Sequence, residues 1–129
     1  MNNMYIAPTA SSPEIDLRFD SRHLLIKGEA YPENAALFWG EVINSIRLFA
    51  EQDTLNETLT VDIALTYFNS SSTKMLFSLL DTLNGKAASG TPVVLNWYHD
   101  EEDDTIYEFG QELCEDFPDL TFHDHALQG

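Results

Sequence analysis

From Tyr67 to Met75 the chain reads Tyr-Phe-Asn-Ser-Ser-Ser-Thr-Lys-Met, placing five small polar side chains, Asn69 to Thr73, in succession. An alternating apolar run ends at Asn69, and a helical apolar pattern begins directly after it. The first turn of a helix leaves backbone N–H groups without intrahelical partners, and Asn, Ser and Thr are the side chains that satisfy them. The same N–H groups and the positive end of the helix dipole also accommodate a phosphoryl group. Such a group adds roughly −1.5 to −2 of charge at one point on the surface. Capping explains at least one of these residues but not three consecutive serines. Spacing alone leaves capping and phosphoacceptance both open.

Other chemistry-bearing clusters are weaker. Asp100-Glu101-Glu102-Asp103-Asp104 suggests divalent cation binding, but it lacks the central Gly and distal Glu of a calcium loop and leads straight into a helix. Carboxylates ahead of a helix are favourable with its dipole. His123-Asp124-His125 has no nearby third ligand for zinc, and His23 and His99 have no adjacent Ser or Cys. Cys114 lies among Glu112, Glu115 and Asp116, an acidic setting without the cationic partner a nucleophilic thiolate needs, so it is expected to be a plain helix residue. Phosphate-cradling motifs of the GxxxxGK[ST] or GxGxxG kind are absent.

Composition narrows the partners. Twenty-two acidic residues against six basic ones give a formal charge of −16, which disfavours nucleic acid and anionic lipid. A hydrophobic fraction of 43% over 129 residues is enough for one folded core. A single cysteine and no evident signal peptide or membrane span imply a cytoplasmic protein with neither nucleic-acid nor membrane partners.

Elements that position the hydroxyl cluster follow from periodicity. Residues 1–12 are expected to be a flexible lead-in, 13–124 one domain, and 125–129 a tail. Glu14–Phe19 and Leu24–Glu29 form a predicted hairpin. A helix is expected over Glu33–Glu51, with Pro32 at its start. Thr58–Phe68 is the clearest strand: Leu59, Val61, Ile63, Leu65 and Tyr67 share one face, while Asp62 and two Thr make the other face wetter. Helices are therefore expected mainly on one side of the sheet. The second helix carries Met75, Leu76, Leu79, Leu80 and Leu83 and is expected to end at Asn84-Gly85. Pro92–Tyr98 is a fourth strand. A third helix follows the acidic run and ends at Pro118, and Leu120–Phe122 is a short last strand. The expected order is ββαβαβαβ, in an α/β domain with a mixed sheet of about five strands.

Three stretches taken together resemble the SiaC family of bacterial regulatory phosphoproteins: Gly28-Glu29-Ala30-Tyr31-Pro32-Glu33-Asn34, Tyr67-Phe68-Asn69-Ser70-Ser71-Ser72, and Asn96-Trp97-Tyr98-His99-Asp100-Glu101-Glu102-Asp103. The likeness runs from roughly Ser12 to Phe122. It implies a STAS-like single domain, the fold of anti-sigma-factor antagonists, with no catalytic residues and no cofactor. It implies that a Ser/Thr kinase of the anti-sigma type phosphorylates the chain and a PP2C-type phosphatase reverses this. The acceptor implied is Ser70, where family members can carry Thr, with Ser71 and Ser72 as alternates. Tyr67, Asn69, Ser70, Ser71, Thr73 and Lys74 would form the partner surface. The unphosphorylated form would bind and activate a diguanylate cyclase, raising cyclic di-GMP and promoting aggregation or biofilm formation. Two alternatives remain at this point: an anti-sigma-factor antagonist in a sigma-factor pathway, and a small metal-dependent hydrolase using the acidic run and terminal histidines.

Overall fold

The computed structural model describes residues 2–128. Its elements run β1 (Met4–Ile6), β2 (Glu14–Arg18), β3 (His23–Ala30), α1 (Ala35–Gln52), β4 (Leu59–Phe68), α2 (Ser70–Ala88), β5 (Val93–Asp100), α3 (Asp104–Asp116) and β6 (Thr121–Leu127). The six strands lie side by side in chain order. The pairs β1–β2 and β2–β3 are antiparallel, whereas β3–β4, β4–β5 and β5–β6 are parallel. Each parallel step needs a crossover, and α1, α2 and α3 supply the three.

Alternation decides which face the helices cover. Leu59, Val61, Ile63 and Leu65 of β4 are buried, as are Val93, Leu95 and Trp97 of β5 and Leu24 and Ile26 of β3. They join Trp39, Val42 and Ile46 of α1 and Leu76, Leu79, Leu80 and Leu83 of α2 in one core. The opposite face carries Asp62, Asn96 and His125, all half-buried, linked by hydrogen bonds. One covered face and one wet face is the expected arrangement. No helix among the described residues is long and apolar enough to cross a membrane.

Three boundaries differ from expectation. Met4–Ile6 is not loose lead-in but an edge strand in register with Ile15–Leu17, with Met4 and Ile6 packed against the core. The order is therefore βββαβαβαβ, with six strands instead of about five. The last strand continues to Leu127, so residues 125–127 pair with Tyr98–Asp100 and are not a tail. Finally, α2 runs through Asn84-Gly85 to Ala88 and ends before Gly90, whose φ is +115°. A glycine within a helix costs only about 1 kcal/mol relative to Ala. Tertiary bonding of Lys86 in the last turn offsets that cost.

That bonding belongs to a buried ion cluster. Asp53, just past α1, accepts both guanidinium arms of Arg22 (2.8 and 2.9 Å) and the ammonium of Lys86 (3.0 Å). Lys86 also donates to the carbonyls of Ala50 and Asp53, and Arg22 to that of Glu57. The Arg22 hydrogen bonds hold the Asp53 carboxyl well below the usual carboxylate range against the opposing effect of burial, with Lys86 assisting. Removing one partner of a buried pair strands the other charges, at about 3–5 kcal/mol. Asp53→Ala should lower urea-unfolding stability at pH 7 by that amount. Because the folded pKa is depressed, this contribution is present above the ordinary value of 3.8 and fades as pH falls below it. The mutant's deficit should therefore shrink on acidification.

At the other end of the core, α3 lies against Trp97, whose indole N–H donates to the Ile106 carbonyl at 3.0 Å. A Cβ on Gly110 would sit 2.5 Å from the Trp97 ring. Gly110→Ala should therefore destabilise the fold, reversing the helix-propensity gain of about 1 kcal/mol expected in an exposed helix. Thermal melts of the two proteins test this.

Candidate functional site

Three parallel crossovers bring the N-termini of all three helices to one edge of the sheet, beyond the carboxyl ends of β3, β4 and β5. Each is capped by an Asn or Asp side chain that accepts a backbone N–H three residues on. Asn34 accepts from Leu37, Asn69 from Ser72 and Asp103 from Ile106, each at 3.0 Å. The capping half of the expectation for the hydroxyl cluster thus falls to Asn69 and not to a serine.

The first two helix starts are joined to each other. Asn69 N–H donates to the Ala30 carbonyl (3.1 Å), fixing the end of β4 beside the end of β3. The Trp39 indole N–H of α1 donates to the Ser72 hydroxyl of α2 at 3.1 Å, and both residues are fully buried. Tyr31 and Tyr67 meet edge to face with centroids 5.6 Å apart. The Tyr31 hydroxyl donates to the Ala10 carbonyl, holding residues before β2 against this corner.

These contacts sort the cluster. Ser70, Ser71 and Lys74 are exposed, and Asn69 and Thr73 are half-buried. The Thr73 hydroxyl donates back to the Asn69 carbonyl. Ser72, one of the two alternate acceptors, is not exposed, because its hydroxyl sits in the core under Trp39. The signal was present in the chain: Ser72 falls in helical phase with Leu76, Leu79 and Leu83. The N–H groups of Ser70 and Ser71 have no protein partner among the described residues, so two free donors remain at the helix mouth. Two further exposed apolar side chains lie at these helix starts: Tyr31 (39% exposed) against Tyr67 (51%), and Leu37 (64%) in the first turn of α1.

The competing clusters resolve differently. Asp100 accepts the Glu102 N–H and Asp103 caps α3, so part of the acidic run is used in holding the turn. On the wet face His23 bonds Asp62, Asp62 bonds Asn96, and Asn96 bonds His125. Among the described residues no three His, Cys, Asp or Glu side chains converge to hold a metal ion. The hydrolase alternative therefore lacks the ligand set that motivated it.

His99 has a defined structural role. Its Nδ1 lies 2.8 Å from the Asp100 carbonyl oxygen and its Nε2 3.0 Å from an Asp124 carboxylate oxygen, so both nitrogens are best satisfied as donors. Burial pulls its pKa down, but the Asp124 hydrogen bond and the Asp100 carbonyl outweigh burial and leave it raised. A raised folded pKa contributes stability that is complete below the ordinary 6.5 and is lost as pH rises through the folded value. His99→Gln should thus be destabilising at pH 6 and progressively less so toward pH 9, as followed by urea unfolding across that range.

The fold and edge define an α/β domain with a six-stranded mixed sheet and three helices, presenting two exposed serine hydroxyls at a helix N-terminus. The chain belongs to the SiaC family of regulatory phosphoproteins, whose family model matches residues 6–127. It is 32% identical over 116 residues to a protein of Pseudomonas aeruginosa (strain UCBPP-PA14), spanning 90% of each chain. Two solved structures are similar throughout. One is apo-SiaC of Pseudomonas aeruginosa, with TM-score 0.89 and 31% identity over 98% of this chain and 100% of that one. The other is SiaC in complex with the diguanylate cyclase SiaD, of which it is the activator, with TM-score 0.88 and 31% identity over 96% and 99%.

Proposed function

We propose that this chain is a non-enzymatic switch that binds and activates a diguanylate cyclase when unmodified and is released from it by phosphorylation of Ser70. The observation that carries this reading is the position of Ser70: exposed, at the first turn of α2, and on the same edge as the exposed apolar side chains of Tyr31, Leu37 and Tyr67. The similar Pseudomonas aeruginosa protein bound to SiaD as its activator supports the choice of partner. The family description as regulatory phosphoproteins supports the choice of modification.

The physical logic is local. A phosphoryl group on Ser70 meets the free N–H groups of Ser70 and Ser71 and the positive end of α2, so the domain holds it without unfolding. The same group sets about two negative charges beside an apolar docking surface, and a partner must then desolvate them. Ser71 is the second exposed hydroxyl. Ser72 would have to leave the core and break its bond with Trp39, which argues against it as acceptor. A kinase of the anti-sigma type and a PP2C-type phosphatase would set the modified fraction, and cyclic di-GMP output would follow.

Ser70→Ala should bind the cyclase as the unmodified protein does and raise cyclic di-GMP synthesis. Ser70→Asp should bind at least about tenfold more weakly, roughly 1.4 kcal/mol. Calorimetric titration against the purified cyclase, with cyclic di-GMP production read in parallel, provides the check. Equal binding by the two variants, with no phosphopeptide covering Asn69–Lys74 in protein from cells, would sink the reading.

A further inference from the structure

The sheet divides at its carboxyl edge. The β4–β5 ladder stops at Ile63↔Trp97, yet β4 continues beside β3 as far as Phe68, and β5 continues beside β6 as far as Asp100. Beyond Ile63 and Trp97 the inner edges of the two strands have no ladder partner. The same stretch of β4 is irregular along its other edge as well. The β3–β4 register slips between Gly28 and Glu29, so that Gly28 faces Leu65 and Glu29 faces Tyr67, and Gly28 adopts a φ of +122°. An extra residue at Thr66 bends β4 and increases its local twist, in keeping with its parting from β5.

A cavity of about 330 Å³ occupies the resulting slit. Ala64, Leu65, Tyr98, Ile106 and Leu127 give it mainly apolar walls, and Asp100 and Asp103 contribute carboxylates. Thr66, Asp103 and Ile106 also line a second hollow that reaches Tyr67 and Phe68, so the slit runs on toward the start of α2. Exposed Glu101, Glu102 and Asp104 stand next to Asp100 and Asp103 in the chain. Lys27 and His99 also line the cavity without reversing its charge. Lys27 is exposed, and His99 has both ring nitrogens engaged by Asp124 and the Asp100 carbonyl.

We propose that this slit is a second docking point, receiving an apolar side chain from a basic segment of a partner protein. An apolar anchor fills the cavity between Leu65, Ile106 and Leu127, and flanking Lys or Arg residues pair with the carboxylates of Asp100 to Asp104. Charge complementarity selects a basic segment, since a chain of −16 repels an acidic one. The unpaired inner edges of β4 and β5 offer backbone groups to a segment that enters extended. The inference extends the proposed switch by giving the partner a contact that does not touch Ser70.

The test uses the full isotopically labelled chain and three blocked peptide amides: Lys-Lys-Leu-Lys-Lys, Lys-Lys-Ala-Lys-Lys and Glu-Glu-Leu-Glu-Glu. Titration followed by amide chemical shifts should move Leu65, Thr66, Tyr98 and Ile106 with the first peptide. The alanine peptide should bind at least about tenfold more weakly, and the acidic peptide should have no effect. Ala64→Leu, which fills the slit, should abolish the response. Asp100→Asn, which keeps the acceptor for the Glu102 N–H, should weaken it. Equal shifts with all three peptides, or an undiminished response in both slit variants, would overturn the proposal. Concentration-dependent shifts of the same amides without peptide would assign the slit to a second copy of the chain, which also overturns it. Since no cyclase is present, failure here is distinct from failure of the Ser70 switch.

Discussion

Parallel pairing of four consecutive strands is the constraint from which the site follows. A parallel neighbour is reached only by carrying the chain back across a face of the sheet, and α1, α2 and α3 each make that return. The second face is closed to them by its own residues, because Asp62, Asn96 and His125 form a hydrogen-bonded row across β4, β5 and β6. All three helices therefore lie on the apolar face, and all three begin at the same edge. Convergence of three positive helix ends there is a consequence of topology and needs no separate cause.

Within that edge, the Trp39–Ser72 hydrogen bond sets the fine geometry. It ties the first turn of α2 to the second turn of α1, so the exposed serines and the Tyr31, Leu37 and Tyr67 surface keep a fixed relation. The opposite edge holds the Arg22–Asp53–Lys86 cluster, which closes the loop after α1 against the last turn of α2. Two of the six basic residues are committed to that one buried carboxylate. The remaining surface is left strongly acidic. The buried ion cluster and the exposed serines thus sit at opposite ends of the strands.

Much of this was legible in the chain. Strict alternation through β4 defined its buried face, and the junction at Asn69 marked the start of α2 because Asn and hydroxyl residues satisfy free N–H groups. The hairpin of β2 and β3 followed from the same period-two pattern. Segments short or weak in their own signal were harder. Met4–Ile6 carries only three residues of signal, and it becomes a strand because β2 offers an unpaired edge and the core accepts Met4 and Ile6. The extension of β6 to Leu127 likewise depends on pairing with β5, since His123, Asp124 and His125 have no strand preference of their own.

By itself, then, the sequence determined the covered and open faces of the sheet, the place where a helix follows its clearest strand, and the family to which the chain belongs. These rest on local periodicity and contiguous motifs. Helical phase already set Ser72 apart from Ser70 and Ser71, but tertiary structure alone supplied its partner, the Trp39 indole 33 positions away in the chain. It also decided that Gly85 lies inside α2, where Lys86 reaches Asp53, and that β4 and β5 part beyond Ile63. Each depends on groups remote in sequence meeting in space, which no local pattern encodes.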